Sequence, residues 1–410
     1  CDRVNVAFAV AFGALALTAP GPPALAQGLA RPRAVLAPPA RTHSTAFHDL
    51  AVERVALPPV DSWRGALAKV GDLLLYAAQE GRLFAIGGLG ASIQEIDLAI
   101  PFRHDHPELT RFRSPNASIY DIAAEPSPSG EPGQYDLYAS YLGIDEERQC
   151  TFLTLSKAVV AVRDDAITVI AGWEEVFRSE PCLPLASRQN LTNESGGRIA
   201  FDAEGVVLTI GRVYEDAQGG GQGDGKIARL DRATFRKHTI SKGHRNPQGL
   251  FIDRSGTIFE TEHGPEGGDE VNIVEDGKNY GWPRVTYGTN YDMNVWCPPD
   301  HSCRPESQGR HLGFEQPIYA FVPSVGISQI IEVTKQEQFP AWQGDFLVAS
   351  MAARTLFRMH IVDRRVVVVE PIDFGRSRLR DMLELDDGRI AILTDDRELL
   401  IVARAEPRHE

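Results

Sequence analysis

One pattern recurs along this chain and limits what it can fold into: alternating apolar residues, an aspartate, a short turn with glycine, then alternating apolar residues again. It is clearest as RIAFDAEGVVLTIG from Arg198 and GLFIDRSGTIFETEHG from Gly249, with a tighter copy, DMLELDDGRIAILTDD, from Asp381. Looser relatives begin at Lys69, Gln134 and Asp345. Period-two alternation broken by turn residues predicts strands. Asp202 and Asp253, at the same place in the first two copies, are 51 residues apart. Strand pairs repeating at that interval predict an all-β fold built by radial repetition, a β-propeller, rather than a pair of sandwiches or a barrel. The roughly 365 residues that follow the N-terminal segment, divided by about 50 to 60 per blade, give six or seven blades. No long helical pattern interrupts them. A short helical stretch is expected near Glu174 to Arg178.

The ends and the cysteines bear on where such a chain works. Val4 to Thr18 is apolar and Ala-rich, Pro20 to Pro23 breaks it, and Ala24-Leu25-Ala26 has the small-x-small form of a cleavage site. Residues 1–26 are therefore expected to be a signal peptide and the protein to be exported, periplasmic or extracellular. Its apolar run is too short for a membrane span, so the mature form is expected not to insert. Residues 27–46, rich in Pro, Ala and Arg, read as a linker, and 47–410 as one propeller domain. Export permits disulfides. Leaving Cys1 aside, the favoured pairs are Cys150–Cys182 and Cys297–Cys303. A net charge of −14 disfavours nucleic acid as a partner.

Two groups of residues carry candidate chemistry. Arg376, Arg378 and Arg380 are spaced by two, so on a strand they share a face. Such a row must be answered by the protein's own carboxylates or by a bound anion. Arg245 adds a guanidinium beside the amides of Asn246 and Gln248, a set able to bind carboxylates or carbonyl oxygens. The second group is the loop from Glu262 to Glu270, with three glycines, a proline, a histidine and four carboxylates. Carbonyls at Gly264 and Pro265 and carboxylates at Asp269 and Glu270 could hold a hard cation, although a solvated acidic loop has the same composition. His244 and His263 flank these features, and neither is given a catalytic role.

The motifs RNPQGL, TEHGP, GGDEVN and GKNYGWP, with FPAWQGDFLVAS, RLRDM and DDGRIAILTD later in the chain, resemble the soluble quinoprotein glucose and aldose sugar dehydrogenases, including sorbosone dehydrogenase-like proteins. The resemblance implies a six-bladed propeller, the cofactor pyrroloquinoline quinone (PQQ), calcium, a small sugar substrate oxidised at its anomeric carbon to a lactone, and an external electron acceptor. By position, Arg245, Asn246, Arg378 and Arg380 would contact the quinone. Gly264 and Pro265 would hold its calcium, and Glu270 and Tyr280 match a second, structural calcium site. A cofactor-facing glutamine of the family falls at Asn116. Three positions depart from the family. The histidine that takes the sugar's proton is replaced by Glu194, an aspartate by Arg212, and a cofactor-contacting lysine by Ala352. Glu194 is the candidate base in its place. The altered half leaves a second expectation open, a non-catalytic, calcium-stabilised propeller that binds a sugar or an anionic ligand.

Overall fold

The computed structural model describes residues 42–405, apart from 61–63, 91, 104–117, 129, 165, 181, 185–195, 212–224, 290–306 and 309–310. Among these residues six antiparallel sheets of at least four strands form the blades of a propeller. Their innermost strands are Gly65–Val70, Ile119–Pro126, Gly196–Phe201, Pro247–Ile252, Ile327–Glu332 and Leu379–Glu384. Each packs on the next, and the sixth packs on the first, so the ring closes. Closure comes from the N-terminal part of the chain. Asp49–Ala56 adds to the outer edge of the sixth sheet by pairing with Glu398–Arg404, residue 50 opposite 404 through 56 opposite 398.

Each recurring sequence pattern is one blade. The copies from Arg198, Gly249 and Asp381 supply the two inner strands of blades three, four and six; those from Lys69, Gln134 and Asp345 belong to blades one, two and five. The aspartate is there to close the turn. Asp202 Oδ1 accepts the N–H groups of Glu204 and Gly205 at 2.9 and 2.8 Å, and Asp253 Oδ1 accepts those of Ser255 and Thr257, both at 2.8 Å. Apolar side chains on both faces of the inner strands fill the spaces between blades. Leu153, Ile199, Leu208 and Leu230 do so between blades two and three, and Phe259, Ile273, Ile330 and Val348 between four and five.

Around the axis the inner strands are tied together by polar bonds. Arg198, 6% exposed, donates to Asp121 (3.2 Å) and Asp381 (3.0 Å) and to the carbonyls of Gln248 (2.6 Å) and Arg380 (3.3 Å). Asp381 also accepts Leu67 N–H at 2.8 Å, and Ser328 Oγ donates to the Leu379 carbonyl at 2.8 Å. Arg198 therefore joins four blades, and Asp381 brings in a fifth. Each bond satisfies a buried polar group that the crowded axis has cut off from water. One guanidinium between two carboxylates leaves a net negative charge, and burial together with Asp381 pushes Asp121 up to about 7, against the pull of Arg198.

Some local expectations need correction, one is met, and others fall outside the described residues. Glu174 to Arg178 is not helical but the end of a strand, Ala166–Arg178, whose long pairing with Cys150–Arg163 overrides local preference. Thr42–Ser44, placed in the expected linker, pairs with Asp49–Ala51. Cys150 and Cys182 are disulfide-bonded. The proposed signal peptide, Cys297 and Cys303 lie outside the described residues.

Candidate functional site

All six inner strands begin at the same end of the ring, where residues at the starts of five of them, with His263 and Met351 from just past second strands, line a cavity of about 120 Å³ on the axis. That is several times the space one water needs. Its wall takes Arg64 and Gly65 from blade one, Ser118 to Tyr120 from blade two, Gly196 and Arg198 from blade three, and Asn246, Gln248 and His263 from blade four. Met351 of blade five and Arg378 and Arg380 of blade six complete it. Residues more than 300 positions apart in sequence thus meet because each lies at the same end of its own blade.

Two of the cavity's arginines share one carboxylate. Arg378 Nε donates to Asp395 Oδ2 at 2.8 Å, and Arg380 Nε and Nη2 donate to Asp395 at 2.5 and 2.8 Å. One carboxylate therefore serves two guanidinium groups, and Arg64 stands near both. Burial and the charges of Arg380 and Arg378 push Arg64 down to about 10 from 12.5, with Asp395 opposing. Arg376 is exposed and outside this group. The regular strand starts at Leu379, so the alternation that would have put three arginines on one face does not reach back to residue 376.

The neutral donors are held in place. His263 Nε2 bonds the Ile327 carbonyl at 2.7 Å, which leaves Nδ1 to face Asn246 Nδ2 at 3.4 Å. Asn246 Oδ1 in turn accepts Gln248 Nε2 at 2.8 Å. Burial lowers the pKa of His263, so its ring is neutral near pH 7 and able to accept at Nδ1. Arg245 lies behind this layer. It is 5% exposed, its Nη1 donates to the His263 carbonyl at 3.1 Å, and its guanidinium carbon sits 5.3 Å from the centre of the Trp282 ring. It lines a second, smaller cavity with Glu262, His263, Gly264, Gly268, Glu270 and Tyr280. His263 is common to both cavities, so Arg245 is one residue removed from the arginines of blade six.

The acidic loop is wound tightly. Gly267 and Gly268 have φ of +91° and +70°, and a Cβ on Gly264 would collide with their carbonyl oxygens. Main-chain carbonyls are gathered there, as a hard cation requires. Asp269, expected as a metal ligand, uses both oxygens on the main chain: Oδ1 accepts Gly264 N–H at 3.2 Å, and Oδ2 accepts those of Val325 and Ile327 at 3.0 Å each. Its observed work is to shape the loop. Tyr280 likewise spends its hydroxyl within the fold, donating to the Ile273 carbonyl at 2.6 Å and accepting Glu275 N–H at 3.1 Å. Glu270 is buried, 3.4 Å from His311 Nε2, and burial raises its pKa. Asn116, Glu194 and Arg212 lie outside the described residues; Gly196, two positions after Glu194, lines the cavity. Ala352 is exposed, beside the cavity-lining Met351.

Sequence reading did not single out Arg64, Tyr120 or the cavity role of Arg198. Arg198 carried a signal, since an arginine in an otherwise apolar inner strand demands a buried partner. Arg64 carried none, because its importance comes from its neighbours in other blades.

The profile of the glucose/sorbosone dehydrogenase family matches residues 75–402. Over 261 residues the chain is 31% identical to the aldose sugar dehydrogenase YliI of Escherichia coli, covering 58% of this chain and 66% of that protein, just under two thirds of its length. In three dimensions it is similar to the soluble aldose sugar dehydrogenase of E. coli in its apo form, with TM-score 0.68, 24% identity, and 87% of this chain and all of that one covered. It is also similar to the PQQ-bound aldose sugar dehydrogenase of Streptomyces coelicolor, with TM-score 0.63, 19% identity, and 90% of this chain and all of that one covered. At these identities the structural likenesses establish the six-bladed propeller and nothing finer.

Proposed function

The chain belongs to the glucose/sorbosone dehydrogenase family, and from that membership we propose that it is a PQQ- and calcium-dependent dehydrogenase that oxidises an aldose at the anomeric carbon to the lactone, with an external electron acceptor. The observation that carries the proposal is that Arg64, Arg378 and Arg380, from two blades, meet at one axial cavity, where Arg378 and Arg380 share the carboxylate of Asp395. Such a set calls for a ligand with several negative charges, and PQQ has three carboxylates. Asn246 and Gln248, already oriented by His263, offer amide groups to ring carbonyls. Gly264 and Pro265 would hold calcium through their carbonyls, with Asp269 keeping the loop in shape. Bound PQQ would supply the hydride acceptor for the sugar's anomeric carbon. The residues of the chain orient the two partners and take the hydroxyl proton.

The proton acceptor is the altered part. Glu194 stands where the family has its histidine, and a carboxylate near pKa 4 is a weaker base than imidazole. The slower proton transfer expected of it lies within the roughly 10²–10⁴-fold range attributed to a general base. Glu270 and Tyr280 are assigned to a second calcium, with Tyr280 contributing its main-chain carbonyl because its hydroxyl is engaged. Export to the periplasm or beyond remains part of the proposal; no helix among the described residues is long and apolar enough to cross a membrane.

The test is dye reduction by the purified protein with PQQ, calcium and a panel of aldoses, repeated with Glu194→His. Turnover that rises in the histidine variant supports the dehydrogenase. Tight PQQ binding with no turnover in either form supports the second reading, a propeller that holds an anionic ligand without acting on it.

A further inference from the structure

Beside the axial site, a cluster of buried groups shares Glu270 with the second calcium, but its other members, His244, Glu260, Glu262 and Asn272, are unexplained by the quinone or by either calcium. In blade four the strands Ile258–Glu262 and Asp269–Val274 pair so that Glu260 faces Asn272 and Glu262 faces Glu270. Alternation puts these four side chains on one face. All are buried: Glu260 and Asn272 are 0% exposed, Glu262 4% and Glu270 6%. Like charges placed directly opposite on a sheet repel one another, and buried carboxylates without compensation are costly.

His244 caps the square. Its Nε2 is 2.8 Å from Ser241 Oγ, and its Nδ1 is 3.3 Å from Glu262 Oε1 and 3.8 Å from Glu260 Oε2. With Nε2–H donated to Ser241, the lone pair of Nδ1 points at the carboxylates. A second hydrogen bond of this kind fixes metal-binding histidines. The ligand atoms of His244, Glu260 and Glu262 all lie within 4.8 Å of one another. Two buried oxygens of this cluster have no hydrogen-bond partner, Glu260 Oε1 and Asn272 Oδ1. The Asn272 amide is turned into the cluster, its Nδ2 3.0 Å from Glu260 Oε2 and 3.3 Å from Glu262 Oε1. Its two ends have the same shape, so their exchange sets a carbonyl oxygen among the carboxylates. Spacings of 3.0–3.8 Å are close to the separation of about 3 Å between adjacent ligands of an ion bound at about 2.2 Å.

We propose that His244, Glu260, Glu262 and Asn272 form an internal divalent-cation site, with Glu270 adjacent, and that its mixture of carboxylate, amide and imidazole donors suits Mn²⁺ better than Ca²⁺. Carboxylate and carbonyl oxygens suit Mg²⁺, Ca²⁺ and Mn²⁺ alike, whereas an imidazole nitrogen favours the transition metal. Two positive charges offset the repulsion among the carboxylates and satisfy both orphan oxygens. Because the site is enclosed between blades three and four, the ion would stabilise the folded chain.

The test uses the whole protein with calcium in excess and Mn²⁺ as the probe. Wild type and Glu260→Gln are dialysed against chelator, titrated with Mn²⁺ overnight, and read by metal analysis and electron paramagnetic resonance. Wild type is expected to bind one more Mn²⁺ per chain than Glu260→Gln, with nitrogen coupling from His244. The variant should bind that ion at least 100-fold more weakly, and only wild type should gain melting temperature from Mn²⁺. Asn272→Leu, which removes a ligand but no charge, should also lose the ion and serves if Glu260→Gln fails to fold. Equal Mn²⁺ stoichiometry in wild type and a folded variant overturns the proposal. So does a Mn²⁺ signal without nitrogen coupling, or a Glu260→Gln protein that is more stable with unchanged metal content, the mark of two carboxyls sharing a proton. Neither outcome depends on whether the axial cavity takes PQQ.

Discussion

Replacing Arg64 by methionine should move stability and ligand binding in opposite directions. Arg64 shares its cavity with Arg378 and Arg380, and its charged form is disfavoured enough to lower its pKa from 12.5 to about 10. At pH 7 both folded and unfolded chains carry the charge, so the shift measures what the charge costs the folded state. That lowering corresponds to at most roughly 3 kcal/mol. Partial exposure and the loss of packing by the side-chain stem reduce that, so Arg64→Met is expected to raise the free energy of unfolding by about 1–2 kcal/mol. The same variant loses a charge-assisted hydrogen bond to a carboxylate, about 1.5–3 kcal/mol, which is roughly 10- to 100-fold in Kd for PQQ. Urea denaturation of the ligand-free protein and a PQQ absorbance titration measure the two effects. A variant that is less stable and binds PQQ as wild type does would refute the reasoning and make Arg64 a structural residue.

Other consequences follow from the same contacts. Asp121 has a folded pKa raised to about 7. Its folded form therefore holds a proton that the unfolded chain has released, and its contribution to stability falls as pH rises from about 4 to 7. Asp121→Asn should flatten that part of the urea-stability profile, and an unchanged slope would contradict the assignment. Arg198→Met leaves Asp121 and Asp381 buried without their cation and should cost about 3–5 kcal/mol in denaturant unfolding. Opening the Cys150–Cys182 bridge, which spans 32 residues, by Cys150→Ser with Cys182→Ser should cost about 3–4 kcal/mol by the same measurement.

Much of this fold is legible in the sequence because a blade is a local object. The Asp-turn-Gly pattern closes its own hairpin through Asp202 and Asp253, so the repeats can be read one at a time. The cavity is less legible because it is assembled from one end of all six blades. Asn246 and Gln248 were visible as a polar group entering a strand, whereas Arg64 has no local mark. Arg376 shows the opposite error. Its spacing from Arg378 suggested a shared face, but the strand begins only at Leu379 and residue 376 faces solvent. The carboxylate square in blade four did leave a sign. Glu260 and Glu262 alternate within an apolar strand, which places two charges on a buried face, and their meaning emerges only when the register with Asn272 and Glu270 is known.

The measurement closest to the central claim is a titration of calcium-loaded protein with PQQ, run in parallel on Arg380→Ala. One PQQ per chain, with a saturable absorbance change in wild type and affinity at least tenfold weaker in the variant, is the predicted result. No cofactor-dependent change in wild type, or equal binding by both proteins, would contradict the reading of the axial arginines as a cofactor cradle.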